Sequence, residues 1–142
     1  MKTLWLELMT LVEALEAAYL TLCEPLGISI AQLHVLLALL ETDKQKASAL
    51  ARQAGLQPTS FTPPLDDLET KGYIVRKAHP TDRRALEVCL TERGAALRPL
   101  LTDVLRLEAT WRRRLMEFAA HDAPKTAVTL MRRKSIGGND GR

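Results

Sequence analysis

Apolar residues recur at helical spacing over most of the chain. Leu4, Leu8, Leu11, Leu15, Ala18 and Leu22 are separated by alternating steps of four and three. That is a heptad-like seam suited to packing against another helix. It predicts a helix from Thr3 to Leu22, ended by Pro25 and Gly27. Ser29-Ile30-Ala31-Gln32 reads as a capping box, with Ile28 and Leu33 placed as a hydrophobic staple. The helix that follows buries Leu33, Leu36, Leu37 and Leu40 on one stripe. A short helix is predicted over Ala47–Ala54, closed by Gly55; its N-cap position falls on Lys46, a poor cap. The next helix is predicted over Pro58 to Lys71, with Pro58 at its first position and Gly72 beyond its end. Phe61, Leu65 and Leu68 form its apolar stripe.

At Ile74 the pattern changes. Ile74-Val75-Arg76-Lys77 and Ala85 to Leu90 read as strands, the second with Leu86, Val88 and Leu90 at period two. Between them His79-Pro80-Thr81-Asp82-Arg83-Arg84 is a basic turn, with Pro to set φ and Asp to hold the backbone. A hairpin with arginines at its tip suits insertion into a DNA groove. Thr91 can N-cap a long helix reaching Ala120, with Leu97, Leu100, Val104, Leu107, Trp111, Leu115 and Phe118 on its apolar face. Pro99 should kink it, because the Ala95 carbonyl loses its usual donor. Asp122 can cap a last helix that fades near Lys134, and Ser135 to Arg142 is Gly-rich and polar, expected to be disordered.

The order is therefore helix, helix, helix-turn-helix, hairpin, long helix, short helix. The expected fold is mainly α, a winged helix-turn-helix with a two-stranded wing and dimerisation helices at both ends. Residues 1–28 form the N-terminal dimerisation helix and 29–94 the winged lobe. Residues 95–134 form the C-terminal dimerisation helices and 135–142 the tail, all in one intertwined domain. The end helices offer more apolar surface than one small winged unit covers, and a homodimer would bury it.

Charge sharpens this picture more than composition does. The net charge of +3 is modest. Residues 1–43, however, carry one lysine against six acids, residues 44–84 eight bases against four, and residues 85–142 eleven against seven. An acidic N-terminal third beside a basic remainder fits a polyanionic partner. With 46% hydrophobic residues, the chain has ample material for a core. Met1 to Leu6 opens like a signal peptide, but Glu7 and Glu13 interrupt the apolar run. The run from Val35 to Leu40 is far too short to span a bilayer. Cys23 and Cys89 make neither a disulfide framework nor a metal motif, so a cytoplasmic location without membrane attachment is expected.

Five motifs in register resemble the MarR family of transcription regulators. They are Gln32-Leu33-His34-Val35-Leu36, Leu50-Ala51-Arg52-Gln53-Ala54-Gly55-Leu56, Leu68-Glu69-Thr70-Lys71-Gly72-Tyr73-Ile74, Asp82-Arg83-Arg84 and Leu90-Thr91-Glu92-Arg93-Gly94. The resemblance implies a homodimer that binds double-stranded DNA at a pseudo-palindromic operator, most simply as a repressor. By position it implies that Pro58, Thr59, Ser60, Thr62 and Pro63 face the major groove. It also implies that Asp82 orients Arg84 into the minor groove, and that Arg83, Arg76 and Lys77 touch phosphates. Lys71 is a further phosphate candidate from its charge and place.

Pro63-Pro64 departs from the family pattern, which often has an arginine or similar residue there. The two prolines remove two helical donors. Either the helix is kinked there, or it starts at Pro63 with Thr62 as its cap. In both cases base reading by an arginine is absent, and Thr59, Ser60 and Thr62 would carry the base contacts. Specificity should then lean on the wing and on DNA shape.

Other chemistry is sparse. Cys23 ends a helix beside Glu24 and Cys89 lies within a strand, settings that favour structural thiols over a peroxide sensor. His34, His79 and His121 lack metal-ligand spacing, and neither a metal nor another cofactor is expected. Trp5, Tyr19 and Trp111 are candidates to line an effector pocket between the dimer helices and the DNA-binding lobe, with core packing as the plainer role. No nucleophile–base pair or phosphate loop suggests an enzyme. The rival reading is a winged-helix protein–protein module without operator binding.

Overall fold

The computed structural model describes residues 2–57 and 60–121. The helix expected after Asp122 and the tail from Ser135 lie outside the described residues. The elements are α1 (Lys2–Leu26), α2 (Ile30–Glu41), β1 (Gln45–Lys46), α3 (Ala47–Gln53), α4 (Thr62–Thr70), β2 (Ile74–Ala78), β3 (Leu86–Leu90), α5 (Glu92–Ala95) and α6 (Arg98–His121). The mainly helical winged fold is as expected, with differences that each have a local cause.

Helix α1 runs one turn past Leu22 and keeps Pro25 inside it. Its end is fixed by hydrogen bonds from the Gly27 N–H to the Glu24 carbonyl and from the Ile28 N–H to the Cys23 carbonyl. This paired closure supplies donors to carbonyls that would otherwise be orphaned. On the seam, Leu8, Leu15 and Leu22 are buried.

Helix α2 is the centre of the lobe. The capping box is present, with the Ser29 hydroxyl accepting from the Gln32 N–H and the Gln32 carboxamide oxygen accepting from the Ser29 N–H. Burial extends beyond the expected stripe to Val35 and Leu39, both fully buried like Leu33 and Leu36. Helices α1, α3, α4 and α6 and strand β3 all pack on it.

The expected two-stranded wing is present as β2 and β3, and a third antiparallel strand joins it to give the order β1-β3-β2. Strand β1 pairs Gln45 with Val88 and Lys46 with Glu87. The hairpin pairs Ile74 with Leu90 through Ala78 with Leu86. A two-residue polar strand has no periodicity to read, and only its partner β3 makes it one. Glycine at 72 (φ +83°) turns the chain from α4 into β2, a backbone conformation that L-residues with a Cβ avoid.

Helix α4 begins at Thr62, not at Pro58. Pro63 and Pro64 therefore occupy its first turn, where a backbone N–H has no intrahelical partner to lose. The longer, kinked helix does not form, and Phe61, rather than Thr62, stands at the N-cap. Phe61, Leu65 and Leu68 are buried as expected.

The long helix after Thr91 is broken. Thr91 caps the short α5, its hydroxyl accepting from the Gly94 N–H, and α6 starts anew at Arg98. Pro99 then lies in the first turn of α6 and needs no kink. The break also resets the apolar face, so that Leu101 is fully buried while Leu100 is half exposed. Leu101, Val104, Leu115 and Phe118 carry the packing of α6, with Leu8, Leu115 and Phe118 forming a second small core against α1. Among the described residues no single helix is long and apolar enough to cross a membrane.

Candidate nucleic-acid interface

The helix-turn-helix is α3 and α4, and α4 is held from behind by one buried side chain. Gln32 Nε2 donates to the Pro64 carbonyl (3.2 Å) and to Asp67 Oδ2 (2.7 Å). The residue that caps α2 thus also sets the position of α4. At the exposed start of α4, Ser60, Thr62 and Pro63 face solvent together. Pro58 and Thr59, the other two residues expected at the major groove, lie outside the described residues.

The body of α4 is acidic, and its acids are engaged. Lys71 Nζ lies 2.6 Å from Asp67 Oδ2. Arg76, on β2, pairs with Asp66 (2.5 Å) and Glu69 (3.3 Å), and its backbone N–H donates to Glu69 Oε1 (3.0 Å). The Asp67 carboxyl is held below its ordinary range by the hydrogen bonds from Lys71 and Gln32. Arg76 is pushed up by its bond to Asp66. Lys71 and Arg76, two of the expected phosphate contacts, are therefore joined to the acids of α4, and Arg76 clamps the base of the wing to it. Lys77, Arg83 and Arg84 are exposed and make no ion pair among the described residues.

The wing tip is a tightly hydrogen-bonded turn. His79 Nδ1 accepts from the backbone N–H of Thr81 (3.2 Å) and of Asp82 (3.1 Å). The Ala85 N–H donates to the Asp82 carbonyl, and the His79 N–H to the Ala85 carbonyl, both at 3.1 Å. Asp82 meets Arg84 at the backbone and not at the guanidinium. Its Oδ1 accepts from the Arg84 backbone N–H (3.1 Å), and its Oδ2 meets Lys46 Nζ (3.2 Å). The Asp82 carboxyl is held below the usual range, first by the Arg84 N–H and then by Lys46. The arginine side chain stays exposed because the acid fixes its backbone instead. Lys46 and Gln32 are the positioning residues that sequence reasoning missed. Gln32 carried a signal as half of a capping box, whereas Lys46 gave only a basic residue at a poorly capped helix start.

A cavity of about 460 Å³ is lined by α1, α2, α6 and the end of α3. Tyr19 and Trp111 line it, as expected, but Trp5 does not. The Trp5 ring packs on Phe118 (centroids 5.4 Å apart) at the far end of α1, several turns from the cavity. Tyr19 donates to Glu108 Oε2 (2.7 Å), and Arg112 Nη2 meets Glu41 Oε1 (2.9 Å). Burial, and then the bond to Glu108, raise the Tyr19 hydroxyl well above its ordinary pKa. Burial lowers the His34 imidazole, with Glu108 opposing it.

Both cysteines are buried, and burial pushes both thiols up. Cys89 Sγ also donates to Glu87 Oε1 (3.4 Å), which disfavours its thiolate further.

The MarR family profile matches residues 28–86, from the α2 cap to the start of β3. Over those residues the winged helix-turn-helix lobe matches the MarR family. It is similar to the HTH-type transcriptional regulator SarZ of Staphylococcus epidermidis, 32% identical over 78 residues that cover 55% of this chain and 53% of SarZ. It is also similar to the HTH-type transcriptional repressor MdtR of Bacillus subtilis (strain 168), 32% identical over 94 residues covering 66% of this chain and 61% of MdtR. The match thus spans about half to three-fifths of these relatives' length. Among solved structures, reduced AbfR bound to DNA shares the fold, with a TM-score of 0.58 and 24% identity over 84% of this chain and 90% of that one. These relatives carry the names of regulators, not of enzymes.

Proposed function

We propose that this chain is a homodimeric, sequence-specific DNA-binding transcription regulator that acts as a repressor. In this reading the start of α4 enters the major groove and the wing tip enters the minor groove of a pseudo-palindromic operator. The observation that carries it is the wing: Arg83 and Arg84 project from a turn fastened by Asp82, His79 and Lys46, with no acid drawing their side chains back. An exposed arginine on a rigid tip suits the enhanced potential of a narrow, A·T-rich minor groove. The DNA-bound AbfR structure, on the same fold, and the repressor name of MdtR support the reading.

Dimerisation is supported by apolar surface on α1 and α6. Leu6 and Leu20 are each 64% exposed and Met116 59%. A two-fold partner covering these faces would place the two recognition helices about 34 Å apart, one turn of DNA. The cavity supplies a place for a small-molecule effector, which would act by favouring one arrangement of the dimer over another.

The acidic body of α4 favours a second reading, a protein–protein module, since Asp66 and Glu69 are exposed on the helix proposed to meet DNA. Selection of bound sequences from a random duplex pool at about 150 mM salt separates the two, because non-specific binding fades steeply with salt. An enriched inverted repeat is expected. A folded dimer that enriches nothing would favour the protein-partner reading.

A further inference from the structure

The cavity between α1, α2, α3 and α6 combines two kinds of lining. Leu15, Leu37, Trp111 and Tyr19 supply apolar and aromatic surface. Glu16, Glu41 and Glu108 supply carboxylates, with Glu108 accepting from the Tyr19 hydroxyl. Arg112 is the one Lys or Arg among the described lining residues, and Glu41 already holds it at 2.9 Å. His34 stands on the wall with its ring edge-on to Tyr19 (centroids 5.0 Å apart), where burial opposes its positive form. Glu16 has no ion pair or hydrogen-bond partner among the described residues, and Glu108 accepts from the Tyr19 hydroxyl with Arg112 and His34 nearby.

We propose that this cavity takes an organic ammonium ion carried on an aromatic body. The proposal rests on reading the cavity as the effector site and adds the charge of the ligand. An anionic ligand would have to draw Arg112 off Glu41 and leave that carboxylate uncovered beside the bound charge. A cation meets Glu16 and Glu108 without breaking any contact. Trp111 and Tyr19 supply aromatic rings, whose quadrupoles attract a cation. Tyr19, with its ionisation strongly disfavoured, remains a neutral ring and a hydrogen-bond donor to Glu108. A volume of about 460 Å³ suits a bicyclic body. The walls belong to α1 and α6 on one side and to Ala54 and Gly55 at the end of α3 on the other. Occupancy would therefore bear on how the helix-turn-helix sits against the end helices.

The test uses two nearly isosteric probes of opposite charge, 1-naphthylmethylamine and 1-naphthoate, at pH 7. Binding to the full chain is followed by fluorescence in a Trp5→Phe background, so that Trp111 alone reports. The amine should quench saturably and bind at least tenfold more tightly than the naphthoate. Glu16→Gln should weaken the amine about three- to fivefold, the scale of one partly solvated ion pair, without weakening the naphthoate. Tyr19→Phe, which keeps the ring and removes a donor from Glu108, should leave amine binding equal or tighter. The proposal is overturned if naphthoate binds as well as the amine, if neither saturates, or if Glu16→Gln leaves the amine unaffected. Because the readout contains no DNA, its failure is distinct from failure of the regulator reading. A chain that bound the amine but enriched no DNA sequence would lose only the latter.

Discussion

Lys46 and Asp82, 36 residues apart, meet with Nζ 3.2 Å from Oδ2 and tie the start of the helix-turn-helix to the tip of the wing. The other Asp82 oxygen holds the Arg84 backbone N–H. One carboxylate therefore positions the arginine proposed to enter the minor groove, and does so through the main chain.

This arrangement has a pH signature. The Asp82 carboxyl is depressed in the folded protein, so its contribution is fully present above the ordinary carboxylate value of about 3.9. It is lost as pH falls through the lower, folded value. The Arg84 amide resonance should thus keep its shift down to about pH 4 and move only below it. In Asp82→Asn the movement should vanish, and operator affinity should fall with little change in Tm. A wild-type Arg84 amide that does not move below pH 4 would refute the assignment.

Arginines 76 and 84 should behave differently when removed. Arg84 is exposed and lies at the wing tip, whereas Arg76 is engaged by Asp66 and Glu69. Arg84→Ala should weaken operator binding about tenfold or more with an unchanged Tm, the worth of one good contact in a groove being about 1–3 kcal/mol. Arg83→Ala should lower the slope of log K against log salt by about one. Arg76→Ala should lower Tm and change that slope by clearly less than one. A full unit lost on removing Arg76 would mean that DNA displaces its acids and that it is a phosphate contact after all.

Gly94 shows how closely α5 approaches the base of the wing. A Cβ built there would stand 2.1 Å from the Tyr73 carbonyl oxygen, which itself accepts the Thr91 N–H. Backbone must move to admit it. Gly94→Ala should destabilise the fold by about 3 kcal/mol, at the upper end for overpacking a filled site. A denaturation midpoint within error of the wild type would show that the segment yields freely.

The double role of Gln32 is measurable as well. Gln32→Ala removes half of the capping box and the two bonds to Pro64 and Asp67. A loss of about 1–2 kcal/mol is expected, together with weaker DNA binding, because α4 loses its tether. Gln32→Glu restores the acceptor for the Ser29 N–H but not the donor to α4. It should therefore recover less than half of the affinity lost. Full recovery would reduce Gln32 to a helix cap.

The two thiols should be inert. Cys23 and Cys89 are buried and their thiolates disfavoured. Peroxide at levels that leave methionines intact should not release DNA, and a thiol reagent should label the native chain far more slowly than the urea-unfolded one. Rapid native labelling of either would reopen a redox role.

Much of this molecule was determined locally. The Ser29–Gln32 cap, the closure of α3 at Gly55, the buried stripe of Phe61, Leu65 and Leu68, and the hairpin register all follow from side chains within a few residues of one another. Each such signal acts at short range along the chain, so the order of residues alone carries it. The wing with its exposed arginines was legible for the same reason.

Tertiary structure decided what depends on partners distant in sequence. Gln45-Lys46 became a strand only because β3 offered an open edge. Leu101 replaced Leu100 in the core because α6 restarts after Pro99's neighbourhood breaks the helix, which rotates the face turned towards α1 and α2. Trp5 and Tyr19 stand on the same helix yet serve different sites, since α6 offers Phe118 to one and Glu108 to the other. Whether a basic residue is available to DNA was likewise not written in its type. Lys71 and Arg76 are drawn to the acids of α4, and Lys46 to Asp82, whereas Arg83 and Arg84 find no acid within reach among the described residues. Charge is a property of the residue, but its availability depends on which opposite charges the fold brings within a few ångströms, where Coulombic attraction outweighs exposure to water.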